Sequence, residues 1–230
     1  MKKTFNQWNK GDLQEEFDLR REKKCQALDA WLARPDEEPI ELSEYEQMSL
    51  NFLIEEAKIF IEEWNEWELR EQFIGHVVKL ARFNDAERLI STFSERILEA
   101  KVKSVRNHND IELSGKVDWM VARGLGTPKK PFLFIHEYKQ EGGGTRSNSG
   151  QLLATMLAAQ ALNDDGKPMY GAYVIGSNWY FVVLQDRSYC MSDAYVSTKE
   201  GDLKEILRLL KAQKLMINER ISDDSNIDRR

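Results

Sequence analysis

The sequence is poor in the residues that build disulfide and zinc scaffolds. Two cysteines, Cys25 and Cys190, stand far apart in 230 residues, and three histidines are scattered along the chain. That excludes a disulfide framework and a Cys/His metal cluster, and it fits a reducing, cytoplasmic setting. No apolar run approaches the roughly 18–20 residues needed to span a bilayer, and the N-terminus lacks the apolar core of a signal peptide. A basic global balance is also missing. The net charge is −6, so any contact with a polyanion has to rest on a local patch. No internal repeat is present.

What the chain does have is aromatic mass and charge asymmetry. Six Trp, ten Phe and seven Tyr supply a substantial core, enough for one domain with an appendage. Residues 1–73 carry 10 Lys+Arg against 19 Asp+Glu, whereas residues 74–230 carry 23 against 20. The acidity therefore belongs to the N-terminal part. Phe5, Trp8, Leu13 and Phe17, then Leu28, Trp31 and Leu32, suggest two short helices ended by the Pro35–Pro39 stretch. The organisation that follows is an N-terminal helical arm over 1–65, a main domain over 66–220 and a polar tail over 221–230. The arm's apolar stripe also suits a homodimer contact.

Ser43 followed by Glu46 has capping-box spacing and opens a helix expected to reach about Trp64. A second helix is expected over about Glu66–Phe83, with Glu71 bordering its buried side. After a short helix or turn over 85–94, Arg96–Val105 and Ile111–Arg123 have strand character, joined by turn residues Arg106–Asp110. In the second strand Val117, Trp119 and Val121 alternate with Lys116, Asp118 and Met120. Asp118 is an acid inside an otherwise apolar strand.

The organising stretch is Pro131–Lys139. It begins as a continuous apolar run, as a strand buried on both faces does, and ends in charge. Period two sends Leu133, Ile135, Glu137 and Lys139 to one face and Phe132, Phe134, His136 and Tyr138 to the other. A carboxylate and an ammonium thus emerge together where a buried strand leaves the core. Such charge needs a compensating partner or a metal. If the two strands are neighbours, Asp118 and Glu137 meet at one end of the sheet. Gly142-Gly143-Gly144 lies in a flexible loop that carries Arg146 and lacks the Gly-Lys-Ser/Thr ending of a phosphate loop. An apolar helix over about Gly150–Leu162 carries Gln151 and Thr155 near its start. A hairpin (Met169–Ile175 with Trp179–Leu184), a strand over Ser188–Ala194 and a helix over Leu203–Met216 complete the chain.

The order of an Asp118-bearing strand, a Glu137-Tyr138-Lys139 strand and a helix with an early Gln resembles the PD-(D/E)xK nuclease superfamily. Gly115-Lys116-Val117-Asp118 is similar to the Gly-x-x-Asp form of its phage-exonuclease members. Gln151 stands where such members carry Gln-x-x-x-Tyr, although the fifth position here is Thr155. The likeness covers residues 66–185. It implies an α/β fold of the restriction-endonuclease type: a mixed β-sheet flanked by helices, here with an N-terminal helical extension. It implies that Asp118, Glu137 and the Tyr138 carbonyl hold Mg²⁺ or Mn²⁺, and that Lys139 assists attack by water. Gln151 would place substrate or water, and Glu71, with Glu68 as rival, would supply an acid from the preceding helix. Lys129, Lys130 and Arg146 are candidates for phosphate contacts with nucleic acid, DNA ahead of RNA. The implied activity is metal-dependent phosphodiester hydrolysis. The alternative is a nuclease-fold module that binds nucleic acid or a protein without cleaving.

Overall fold

A computed structural model describes residues 2–138 and 148–227, without the side chains of Glu137, Tyr138, Asn148 and residues 224–227. Lys139 and Arg146 lie outside the described residues. The chain is mixed α/β, with one mixed sheet flanked by helices.

The strands are β1 (Lys2–Thr4), β2 (Arg20–Arg21), β3 (Ile90–Lys103), β4 (Asp110–Arg123), β5 (Lys130–Tyr138), β6 (Met169–Ile175), β7 (Asn178–Gln185), β8 (Ser188–Met191) and β9 (Tyr195–Val196). Their order is β1-β4-β5-β6-β7-β8-β2, with β3 beside β4 and β9 beside β7. β1 pairs with β4 in parallel, as do β5 with β6 and β2 with β8, while the remaining pairings are antiparallel. The N-terminal segment expected to be purely helical therefore supplies two strands to the sheet. Two and three residues are too short to show any alternation in sequence, so pairing alone reveals them.

The helices are α1 (Lys10–Phe17), α2 (Gln26–Glu37), α3 (Glu44–Phe60), α4 (Glu66–Leu69), α5 (Gly75–Leu80), α6 (Asn148–Asn163) and α7 (Glu200–Ile227). Ser43 and Glu46 form the expected capping box of α3. Pro35 does not end α2 but sits inside its last turn. The helix expected over Glu66–Phe83 is broken by a π turn, Arg70–Ile74, between α4 and α5. Of the helix or turn expected over 85–94, the turn is present at residues 86–89, and β3 begins at Ile90. α7 is twice the expected length and keeps Ile217, Arg220 and Ile221 buried.

Two apolar layers cover the sheet. One, under α2, α3, α5 and α7, is built from Trp31, Leu50, Phe73, Ile135, Trp179, Phe181 and Leu210. The Trp31 indole N–H donates to the Leu209 carbonyl at 2.9 Å and so ties α2 to α7. The other layer, under α6 and α1, contains Phe5, Trp8, Phe17, Met120, Phe134, Leu152 and Met156. β5 is central and covered on both sides, which is why its sequence is continuously apolar. Its Pro131 stands at a register shift in the pairing with β4, where a residue without an N–H fits.

Candidate functional site

β4 and β5 part at Asp118. Their ladder runs from Arg123–Lys130 to Trp119–Ile135 and stops. β5 continues along β6, pairing Glu137 with Val174 and Tyr138 with Ile175. On its other side β4 stays with β3 along its whole length, and beyond the parting it takes β1 as a new neighbour, Lys2 opposite Glu112. Residues 115–118 of β4 thus face a fork in the sheet, and Asp118 stands at its mouth. Glu137 and Tyr138 occupy the next positions of β5 on the other prong.

The fork coincides with an inversion of side-chain parity. In β4, Met120 and Ala122 enter the α6 layer, but so do Val117, Leu113 and Ile111; in β3, Phe93 does so, but then Leu98 and Ala100. Even positions replace odd ones on both strands across the Glu95–Asp118 level, between the pairs Ser94–Trp119 and Arg96–Val117. Glu95 has φ 55°, a left-handed conformation that a non-glycine residue adopts only when its surroundings hold it there. The simple alternation expected through Asp118 therefore does not hold, because the strand pair turns over at that residue.

Asp118 lies against a side chain of β5. His136 Nδ1 lies 3.3 Å from Asp118 Oδ2; the imidazole is fully buried and the carboxylate 22% exposed. Strand period alone put His136 on the face of β5 opposite Glu137. It is packed, and it is also the side chain that touches Asp118. Only the register between β4 and β5 could have revealed this, since the two residues are opposite one another only if Trp119 meets Ile135. Glu95 is a second acid at this level that sequence reasoning missed. Arg70 Nη1 reaches it at 2.6 Å and Lys116 Nζ at 3.0 Å, so its charge is matched on both oxygens. The π turn carrying Arg70 packs close to the sheet here: a side chain at Gly75 would stand 3.3 Å from the Trp119 ring.

The remaining candidates separate into those near the fork and those away from it. Gln151 lies half-buried in the first turn of α6, and Thr155 donates to its carbonyl at 3.0 Å. Glu71 is exposed rather than bordering a buried face, with Oε1 3.9 Å from Arg70 Nε. Glu68 accepts from the Asn65 backbone N–H at 2.8 Å, closing a capping box at the start of α4. Lys129 and Lys130 sit at the opposite end of β5 from Glu137, roughly 23 Å away at the rise of a strand. Lys130 Nζ is 2.9 Å from Asp165 Oδ2, and Arg220 meets the same oxygen at 2.7 Å. These two lysines are not brought to the fork.

Among the described residues no group of three His, Cys, Asp or Glu side chains could hold a metal ion. The Glu137 side chain and Lys139 are outside those residues. Asp118 contributes a described carboxylate at the fork mouth, where the β4–β5 ladder ends. No family model matches this chain, and no curated protein is significantly similar to it.

Proposed function

We propose that the fork is the active site of a metal-dependent nuclease with a restriction-endonuclease-like fold. The observation that carries this reading is the parting of β4 and β5 at Asp118, with Glu137 and Tyr138 following on the other prong. Where the two strands diverge, their backbone groups no longer pair with each other. Asp118, Glu137 and the Tyr138 carbonyl are all hard oxygen donors, the set that suits Mg²⁺ or Mn²⁺. A bound ion supplies charge to a phosphoryl oxygen and a more acidic water. His136, whose Nδ1 stands 3.3 Å from Asp118 Oδ2, is the neighbour that would support a ligating carboxylate there. Lys139, two residues beyond Glu137, would orient the attacking water and offset the negative charge that builds up in hydrolysis. DNA is the preferred substrate class.

A second reading is a module that binds nucleic acid or protein without cleaving. It draws on the positions of Glu71 and Glu68, one exposed and one closing a cap, so neither supplies the additional acid.

Calorimetric titration of Mn²⁺ into the parent, Asp118→Ala and Glu137→Ala proteins, with circular dichroism as the check on folding, tests the proposal. Binding by the parent that both substitutions abolish is expected. Magnesium-dependent cleavage of DNA, lost in Lys139→Ala while Mn²⁺ still binds, would follow. A folded parent that binds no Mn²⁺, alone or with DNA, would overturn the nuclease reading and favour the second.

A further inference from the structure

We propose that the chain pairs with a second copy of itself through the face formed by α3 and α5, an inference independent of the nuclease reading. α3 is apolar on two sides. Leu50, Leu53, Ile54 and Ala57 are buried against the body. Tyr45, Met48 and Phe52 are 65%, 66% and 62% exposed, and Ile59 continues their row outward. At about 100° per residue these four fall within an arc of about 60°, a ridge some 20 Å long. A helix with apolar residues on both its core side and its outer side is unlike an ordinary surface helix, whose outer side is polar. The ridge borders a groove of about 630 Å³, whose far wall is made by His76, Lys79 and Arg82 at α5.

Charge identifies the occupant. Glu44 and Glu55, both exposed, run along the border of the ridge that faces away from the body, at helical positions just beyond Met48. The groove wall carries Lys79 and Arg82, also exposed. The occupant that fits is an amphipathic helix with an apolar ridge and an acidic border, and α3 itself has that form. One surface thus holds both halves of a contact: a ridge with acids and a groove with cations. A two-fold interface requires such self-complementarity, each copy giving its ridge to the other's groove. Leaving large apolar side chains grouped in water is the cost that pairing removes.

The test is the mass of the full-length chain by light scattering, from micromolar to hundreds of micromolar. A dimer mass that dissociates on dilution is expected. Met48→Glu with Phe52→Glu should yield monomer at every concentration, with an unchanged circular dichroism spectrum because both residues are exposed. Two charge variants make the contact specific. Glu44→Lys/Glu55→Lys and Lys79→Glu/Arg82→Glu should each weaken pairing at least tenfold. An equimolar mixture of the two should restore it, because opposite charges then face each other on both sides of the axis. A parent that stays monomeric throughout, or a dimer untouched by Met48→Glu/Phe52→Glu, overturns the proposal. A mixture that fails to recover does so as well.

Discussion

His136 Nδ1 stands 3.3 Å from Asp118 Oδ2, a fully buried imidazole against a carboxylate at the mouth of the sheet fork. The ring is fully buried, next to the buried Phe134 on the same face of β5. It therefore limits the space open to the carboxylate it touches. His136→Leu keeps the volume and removes the nitrogen. If Asp118 holds a divalent ion, Mn²⁺ affinity is expected to fall about 10- to 100-fold in this variant, with the thermal transition retained. Undiminished affinity in a folded His136→Leu protein would show that the imidazole only fills space.

At the other end of β5, Asp165 receives Arg220 at 2.7 Å and Lys130 at 2.9 Å. Burial alone would raise its pKa, but the hydrogen bonds from Arg220 and Lys130 outweigh it and bring the carboxyl down from 3.8 to about 2. A depressed carboxylate stabilises the fold above its unfolded value, and that contribution is lost as pH falls through the folded value. The window is therefore from about pH 4 down to about pH 2, and the contribution is about 2 kcal/mol. Asp165→Asn should lower stability to urea by about 2 to 4 kcal/mol at neutral pH. The gap between parent and variant should narrow across that acid window. A gap that stays constant with pH would show that the ion pairs do not set the acid limb.

Gly115 sits in β4 where the Phe5 ring crosses it. A side chain there would stand 2.7 Å from Phe5 Cδ2. The ring cannot give way, since Phe5 is itself buried in the α6 layer. Gly115→Ala is expected to cost about 1 to 3 kcal/mol through overpacking. In a Phe5→Leu background the same substitution should cost much less, because the smaller side chain leaves room for the methyl. Equal costs in both backgrounds, measured by denaturant unfolding, would show that the glycine answers to the strand and not to the ring. The glycine of the Gly-x-x-Asp pattern thus has a packing reason in this chain besides any catalytic one.

The features legible beforehand are those that neighbouring residues decide. The Ser43–Glu46 capping box, the continuous apolar run of β5, the β6–β7 hairpin and the buried α6 all rest on contacts within a few residues. Asp118 and Glu137 drew attention for a local reason too, as acids in apolar strands. Features that depend on pairing were not visible. β1 and β2 are recognisable as strands only because β4 and β8 lie beside them. The start of β3 at Ile90 was hidden by Glu95, whose left-handed backbone breaks the alternation that marks a strand.

The sequence by itself determined the α/β character, the central place of β5 and the presence of an acid in each of two apolar strands, because hydrophobic period and caps are local properties. Tertiary structure alone decided who meets whom. It set His136 against Asp118, matched Glu95 with Arg70 and Lys116, and gave Lys130 to Asp165. The physical reason is the register. A slip of one residue between β4 and β5 would turn every side chain of one strand to the opposite face, and it is the packing of two complete apolar layers that excludes the slip.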